Sequence, residues 1–133
     1  MRVRVLAVAG VLALSTLASV PAVAAAPSDK ASAAPKPARV IDAEGLGSGT
    51  QNLRIKAHVK GRPIYANKIT ILQAKECKTC TWRPSRKQRT GAGAYVVYPV
   101  NAPATGRRFF RVKVPATVRY RASYSNVLVA SRN

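Results

Sequence analysis

The segment Lys68–Arg89, KITILQAKECKTCTWRPSRKQR, carries both cysteines, the only tryptophan and the densest basic cluster of the chain. Ile69, Thr70 and Ile71 are β-branched in succession, which costs side-chain freedom in a helix and favours extended backbone. A strand is therefore expected over Lys68–Ala74. Its residues Ile69, Ile71 and Leu72 do not alternate cleanly, so the strand is either central and covered on both faces or broken by a bulge. Thr81–Arg83 begins the next strand, and Pro84 stops its ladder or places it at a sheet edge. Ser85–Arg89 then reads as a basic loop.

Outward from this pair, the rest of the chain reads as further strands. Leu53–Lys60 (LRIKAHVK) alternates strictly, with Leu53, Ile55, Ala57 and Val59 on one side and Arg54, Lys56, His58 and Lys60 on the other. That pattern is a half-buried strand with a cationic outer face. Ala94–Val100 (AYVVYPV) is the most β-prone run, with Tyr95 as a core aromatic. Phe109–Pro115 (FFRVKVP) alternates again, Phe110, Val112 and Val114 inward and Arg111 and Lys113 outward. Ala38–Ala43 opens the domain as a short strand and Asn126–Ala130 closes it. Gly45–Gly49, Gly61-Arg62-Pro63 and Gly91-Ala92-Gly93 are turns. No segment after residue 26 has a 3.6-residue period, so the fold class is an all-β antiparallel sandwich or barrel of six or seven strands.

The N-terminus carries an address. Arg2 and Arg4 precede the apolar run Val5–Val20, Pro21 follows, and small residues end at Ala26; this is a secretory signal peptide over residues 1–26. An uncleaved membrane anchor is the competing reading, since the apolar run nearly reaches spanning length. Residues 27–37, rich in Pro, Ala and Lys, cannot bury enough surface to offset ordering and form a linker. The domain then runs over 38–133, and a secreted, extracellular location is expected.

Charge bounds the partner. The chain has 23 Lys plus Arg against 4 Asp plus Glu, and from Gly45 onward 18 bases face one acid, Glu76. Such a surface attracts polyanions: nucleic acid, anionic lipid or wall polymer. The candidate anion-binding residues are Lys78, Arg83, Arg86, Lys87 and Arg89 near Trp82, together with Arg54, Lys56, Arg111 and Lys113 on the strands. Lysines on exposed strands also block edge-to-edge aggregation, so solvation is the competing role.

Cys77-Lys78-Thr79-Cys80 is a lone C-x-x-C. A structural zinc needs four ligands, and no second cysteine pair exists. A redox site needs its first cysteine at a helix N-terminus, whereas this one lies between strands. Export favours a structural disulfide over redox, metal or intermolecular roles. One histidine and one acid after Gly45, without G-x-S-x-G or H-E-x-x-H, leave no acid–base pair. No catalytic residue, cofactor or metal is expected.

The order of motifs resembles small bacterial Ig-like β-sandwich domains of secreted actinobacterial proteins. The residues that carry it are Ile71-Leu72-Gln73, Trp82-Arg83, Thr90–Tyr95, Phe110–Thr117 and Tyr124–Val127, and it covers roughly Leu53–Ala130. The chain departs from that pattern at Ala92, where an acid or Asn is usual, and in having the cysteine pair. The resemblance implies a fibronectin-like or Ig-like sandwich of about seven strands that binds, spaces or adheres without catalysis. It also implies a buried Trp82, joining Tyr95 and Phe110 as core aromatics. The alternative is a surface Trp82 that stacks on a sugar or base. Three functions follow: a basic module adhering to anionic wall polymer; a cationic effector on membranes or nucleic acid; and a protease inhibitor offering the loop Cys77–Arg86.

Overall fold

The computed structural model describes residues 33–47 and 52–132. The expected signal peptide and the linker residues 27–32 lie outside these residues, as do positions 48–51 of the glycine-rich turn. Lys36–Asn133 forms one compact unit. Among the described residues there is no helix; eight strands, all paired antiparallel, form two sheets.

The first sheet joins β1 (Ile41–Leu46), β2 (Leu53–Val59) and β5 (Tyr95–Val100), in the order β1-β2-β5. The alternation in LRIKAHV decides which side of β2 is buried: Ile55, Ala57 and Val59 face the core. Register then places Val96 opposite Ala57 and Tyr98 opposite Ile55, and both are buried.

The second sheet joins β3 (Ile69–Lys75), β4 (Arg83–Arg89) and β6 (Arg107–Val114), with β3 at the centre. Beyond β6 lie β7 (Ser123–Tyr124) and β8 (Leu128–Ser131), successive partners along one edge of β6. The expected last strand, Asn126–Ala130, is thus found two residues later as β8, and the short β7 before it was not expected. Between β7 and β8, Ser125 Oγ accepts a hydrogen bond from the Val112 amide (2.9 Å), and the Asn126 side chain exchanges two with Ala43 of β1 (3.0 and 3.1 Å). Asn126 therefore ties the edge of one sheet to the other.

Leu72, Ala74, Phe110, Val112 and Val114 of the second sheet meet the inner residues of the first in one hydrophobic cluster. Two inner faces sharing one core make a layered body. Burying apolar area at ~25 cal/mol per Å² is its main stabilisation. Both alternatives for β3 hold in part. It is central, and its register with β4 shifts between Leu72 and Gln73, leaving Ser85 as the extra residue. The shift falls beside Pro84, which has no N–H to give a ladder. Clean alternation is recovered once Thr70 is counted as an inward residue, fully buried with Leu72 and Ala74.

Three expectations are corrected. Ser85–Arg89 is not a loop but the body of β4, an edge strand held by its backbone pairing with β3 while its side chains stay in solvent. The strand begins at Arg83, not Thr81. Trp82 is only half-buried and Tyr95 is 46% exposed, so neither is a core aromatic. Phe110 is; Tyr98 and Tyr65 take the other two places.

Arg39, which sequence reading passed over, closes one end. It is buried, with its guanidinium 4.1 Å from the Tyr120 ring centroid and 5.2 Å from that of Tyr65. Its Nη1 donates to the Lys60 carbonyl (3.4 Å), and its backbone N–H donates to Ser123 Oγ (2.8 Å).

Candidate anion-binding face

Residues opposite one another in an antiparallel pair project to the same side. On the second sheet the outward side follows from the buried set. Ile71 is flanked by Lys87 of β4 and Lys113 of β6, and Gln73 by Arg111. Arg89 lies opposite Ile69 on the same side. Lys87, Arg89, Arg111 and Lys113 thus share one face. Lys87 and Lys113 are two strand spacings apart, about 10 Å.

Arg111 is the centre of this face. Its guanidinium carbon is 4.4 Å from the Trp82 ring centroid and 4.1 Å from that of Tyr124, and its Nε donates to Gln73 Oε1 (2.8 Å). Lys75 approaches Trp82 at 4.7 Å and Phe109 at 5.7 Å, and Lys113 approaches Tyr124 at 5.9 Å. Cations within about 6 Å of a ring face are attracted by its quadrupole. Partial burial lowers the Arg111 pKa from its ordinary value, with Tyr124 opposing, and the group stays charged throughout the physiological range.

The charge is unevenly shared between the sheets. Strands β3, β4 and β6 carry Lys75; Arg83, Arg86, Lys87 and Arg89; and Arg107, Arg108, Arg111 and Lys113, and no acid. The first sheet holds both strand-borne carboxylates. Glu44 pairs with Lys56 at 3.7 Å, and Asp42 pairs with Lys60. On that sheet His58 stacks on Tyr95 with ring centroids 4.2 Å apart.

The nine expected anion-binding residues therefore divide. Lys87, Arg89, Arg111 and Lys113 are brought together. Arg54 and Lys56 lie on the opposite sheet, where Lys56 is already paired. Arg86 and Arg83 sit opposite Leu72 and Ala74, on the other side of β4 from Lys87. Lys78 is on the disulfide loop. The cations that reach Trp82 are not those near it in sequence but Lys75 and Arg111. Lys75, Phe109 and Tyr124 were missed. The polar phase of β3 (Gln73, Lys75) points to the first, and nothing local points to Tyr124.

Cys77 and Cys80 are disulfide-bonded, with Cα atoms 5.0 Å apart. The loop is a tight turn in which the Cys80 amide donates to the Cys77 carbonyl (3.2 Å) and Lys75 Nζ to the Lys78 carbonyl (2.6 Å). Among the described residues no three of His, Cys, Asp and Glu gather where they could hold a metal. No protein-family model matches the chain, and no curated protein or solved structure matches it.

Proposed function

We propose that the chain is an exported, non-catalytic Ig-like sandwich module that adheres to anionic extracellular polymer, such as wall polyanion, through the outer face of its five-stranded sheet. The observation that carries this reading is the charge division: Lys87, Arg89, Arg111 and Lys113 share that face and β3, β4 and β6 hold no acid, against paired carboxylates on the other sheet. The Ig-like assignment is supported by strand order. The first, second and fifth strands form one sheet, and the third and sixth are central to the other, as in Ig and fibronectin domains. The disulfide suits an oxidising compartment.

The test is binding to a polyphosphate resin at several salt concentrations. Adhesion by this face predicts that the logarithm of the binding constant falls linearly with log salt. It also predicts a large loss for the double variant Lys87→Gln/Lys113→Gln and little change for Arg54→Gln/Lys56→Gln. Salt-independent retention, or equal losses in the two variants, would count against it.

A single-stranded nucleic acid is the second reading, favoured by the half-exposed Trp82 beside Arg111. Base stacking on such a ring contributes ~1–3 kcal/mol per base. An oligonucleotide binding much more tightly than polyphosphate of equal charge would favour it. For the inhibitor reading, Arg83 is paired with Ala74 of β3 and lies outside the loop a protease would meet, which leaves Lys78, exposed on the disulfide loop, as its one candidate.

A further inference from the structure

At the end of the second sheet, Arg83 of β4 lies opposite Ala74 of β3, and Ala74 lies opposite Phe110 of β6. Arg108 is two residues before Phe110 and falls on the same side. Arg83 and Arg108 line one groove of about 590 Å³ together with Lys75, Thr81, Ser85 and Glu76. Sites for small organic ligands span ~300–1,000 Å³. Three cations facing one carboxylate leave two positive charges uncompensated. Neither arginine is in a salt bridge with a described residue. Arg108 Nε is shielded from solvent and has no hydrogen-bond partner among the described residues, an arrangement that costs free energy until an acceptor arrives.

We propose that this groove is a saturable site for a phosphate monoester, and that the Cys77–Cys80 disulfide holds it in its binding shape. A phosphate monoester carries a charge of about −1.5 to −2 near neutral pH, which matches the two uncompensated charges; a carboxylate leaves one. Its three terminal oxygens suit guanidinium forks and hydroxyl donors better than a planar two-oxygen group does. The volume leaves room for the organic group that bears the phosphate. The disulfide enters because Cys80 lines the groove, Thr81 follows it, and the Lys75 ammonium is tied to the Lys78 carbonyl inside the bridged loop. Opening the bridge frees the loop that positions Thr81 and Lys75. The groove borders the Arg111 face at Lys75, which also approaches Trp82, but its two arginines lie on the other side of the sheet, and it does not depend on polymer adhesion.

The experiment titrates the full chain with phenyl phosphate and, separately, acetate at constant ionic strength, followed by amide and arginine Nε NMR signals. Saturable shifts at Thr81, Ser85 and Arg108 Nε are expected, with acetate at least about tenfold weaker. Arg108→Gln removes a charge-assisted hydrogen bond, so affinity falls about tenfold. Ser85→Ala, a milder change on the exposed β4, weakens binding without touching the core. Reduction of the disulfide weakens binding while the amide shifts of β2 and β6 persist. Non-saturating shifts, equal response to acetate, or binding unchanged in Arg108→Gln overturn the site. Binding lost in Lys87→Gln/Lys113→Gln overturns it too, because the ligand would then lie on the open face. Affinity unchanged on reduction overturns the role of the disulfide.

Discussion

The hydroxyl oxygens of Thr70 and Tyr98 lie 2.5 Å apart in the core, one from each sheet. Thr70 Oγ1 also donates to the Gln88 carbonyl (3.1 Å), an acceptor only, so Tyr98 donates to Thr70. The chain of bonds has a direction, and the two ends are not equivalent. Tyr98→Phe removes one bond and leaves Thr70 still donating, at a cost of about 0.5–1.5 kcal/mol. Thr70→Val strands a buried phenol with no acceptor and takes a donor from Gln88, at a cost of about 1–3 kcal/mol or more. Denaturant unfolding of both variants should rank them in that order.

The same tyrosine sets an alkaline limit. Burial pushes the Tyr98 pKa up to about 12, with the Thr70 hydrogen bond opposing, whereas an unfolded tyrosine titrates near 10. The folded value is the higher one, so this contribution is complete below pH 10 and is lost as pH rises through 12. Its size is roughly 2–3 kcal/mol. Wild type, ahead of Tyr98→Phe at neutral pH, should therefore lose that lead and fall below the variant as pH rises from 10 to 12. Tyr65, also raised by burial, is present in both proteins.

Gly61 has φ +115°, and a Cβ there would stand 3.1 Å from Arg39 Nη1 and 3.3 Å from the Tyr120 hydroxyl. Gly61→Ala combines a backbone conformation that L-residues avoid with a crowded cation–aromatic end. A loss of about 1–3 kcal/mol is expected, read as a lower thermal midpoint.

Trp82 is the only tryptophan and lies on the candidate face, so its emission reports on that face and on Lys75 at its border. Polyphosphate should change the emission, and salt should restore it. Arg111→Gln removes the cation between Trp82 and Tyr124. It should alter the starting spectrum and reduce the polyphosphate response several-fold. An unchanged spectrum in that variant would detach Trp82 from Arg111.

The bridge closes a loop of sequence separation 3. By the loop-entropy relation, so short a closure contributes ~2 kcal/mol. Cys77→Ser/Cys80→Ser should unfold at lower denaturant by that amount while keeping its β-sheet circular dichroism. The loop lies outside both sheets, which do not need it to pair.

Strands β2 and β6 were legible because their apolar residues alternate with charges, which fixes both strand and phase. β5 was legible as a strand but not in phase: AYVVYPV is apolar at nearly every position, so only pairing with β2 turns Tyr98 in and Tyr95 out. β4 was hidden for the opposite reason. RPSRKQR has no apolar residue, and an edge strand held only through its backbone leaves no periodic trace. The cations were legible as a composition, but their sorting into faces was not. That sorting depends on register between β3 and β6, 38 residues apart at the Gln73–Arg111 bond. Arg39 gave no signal, because its cage is assembled from Tyr65 and Tyr120, both remote in sequence.

Placing both strand-borne carboxylates on the three-stranded sheet gives the domain an electrical front and back. Near any negatively charged plane it experiences a torque as well as an attraction, so it turns before it touches. On the adhesion proposed above, it would settle with Arg111 downward and the His58–Tyr95 pair toward the solvent. A partner recognising that upper layer would meet it in a single, repeated orientation.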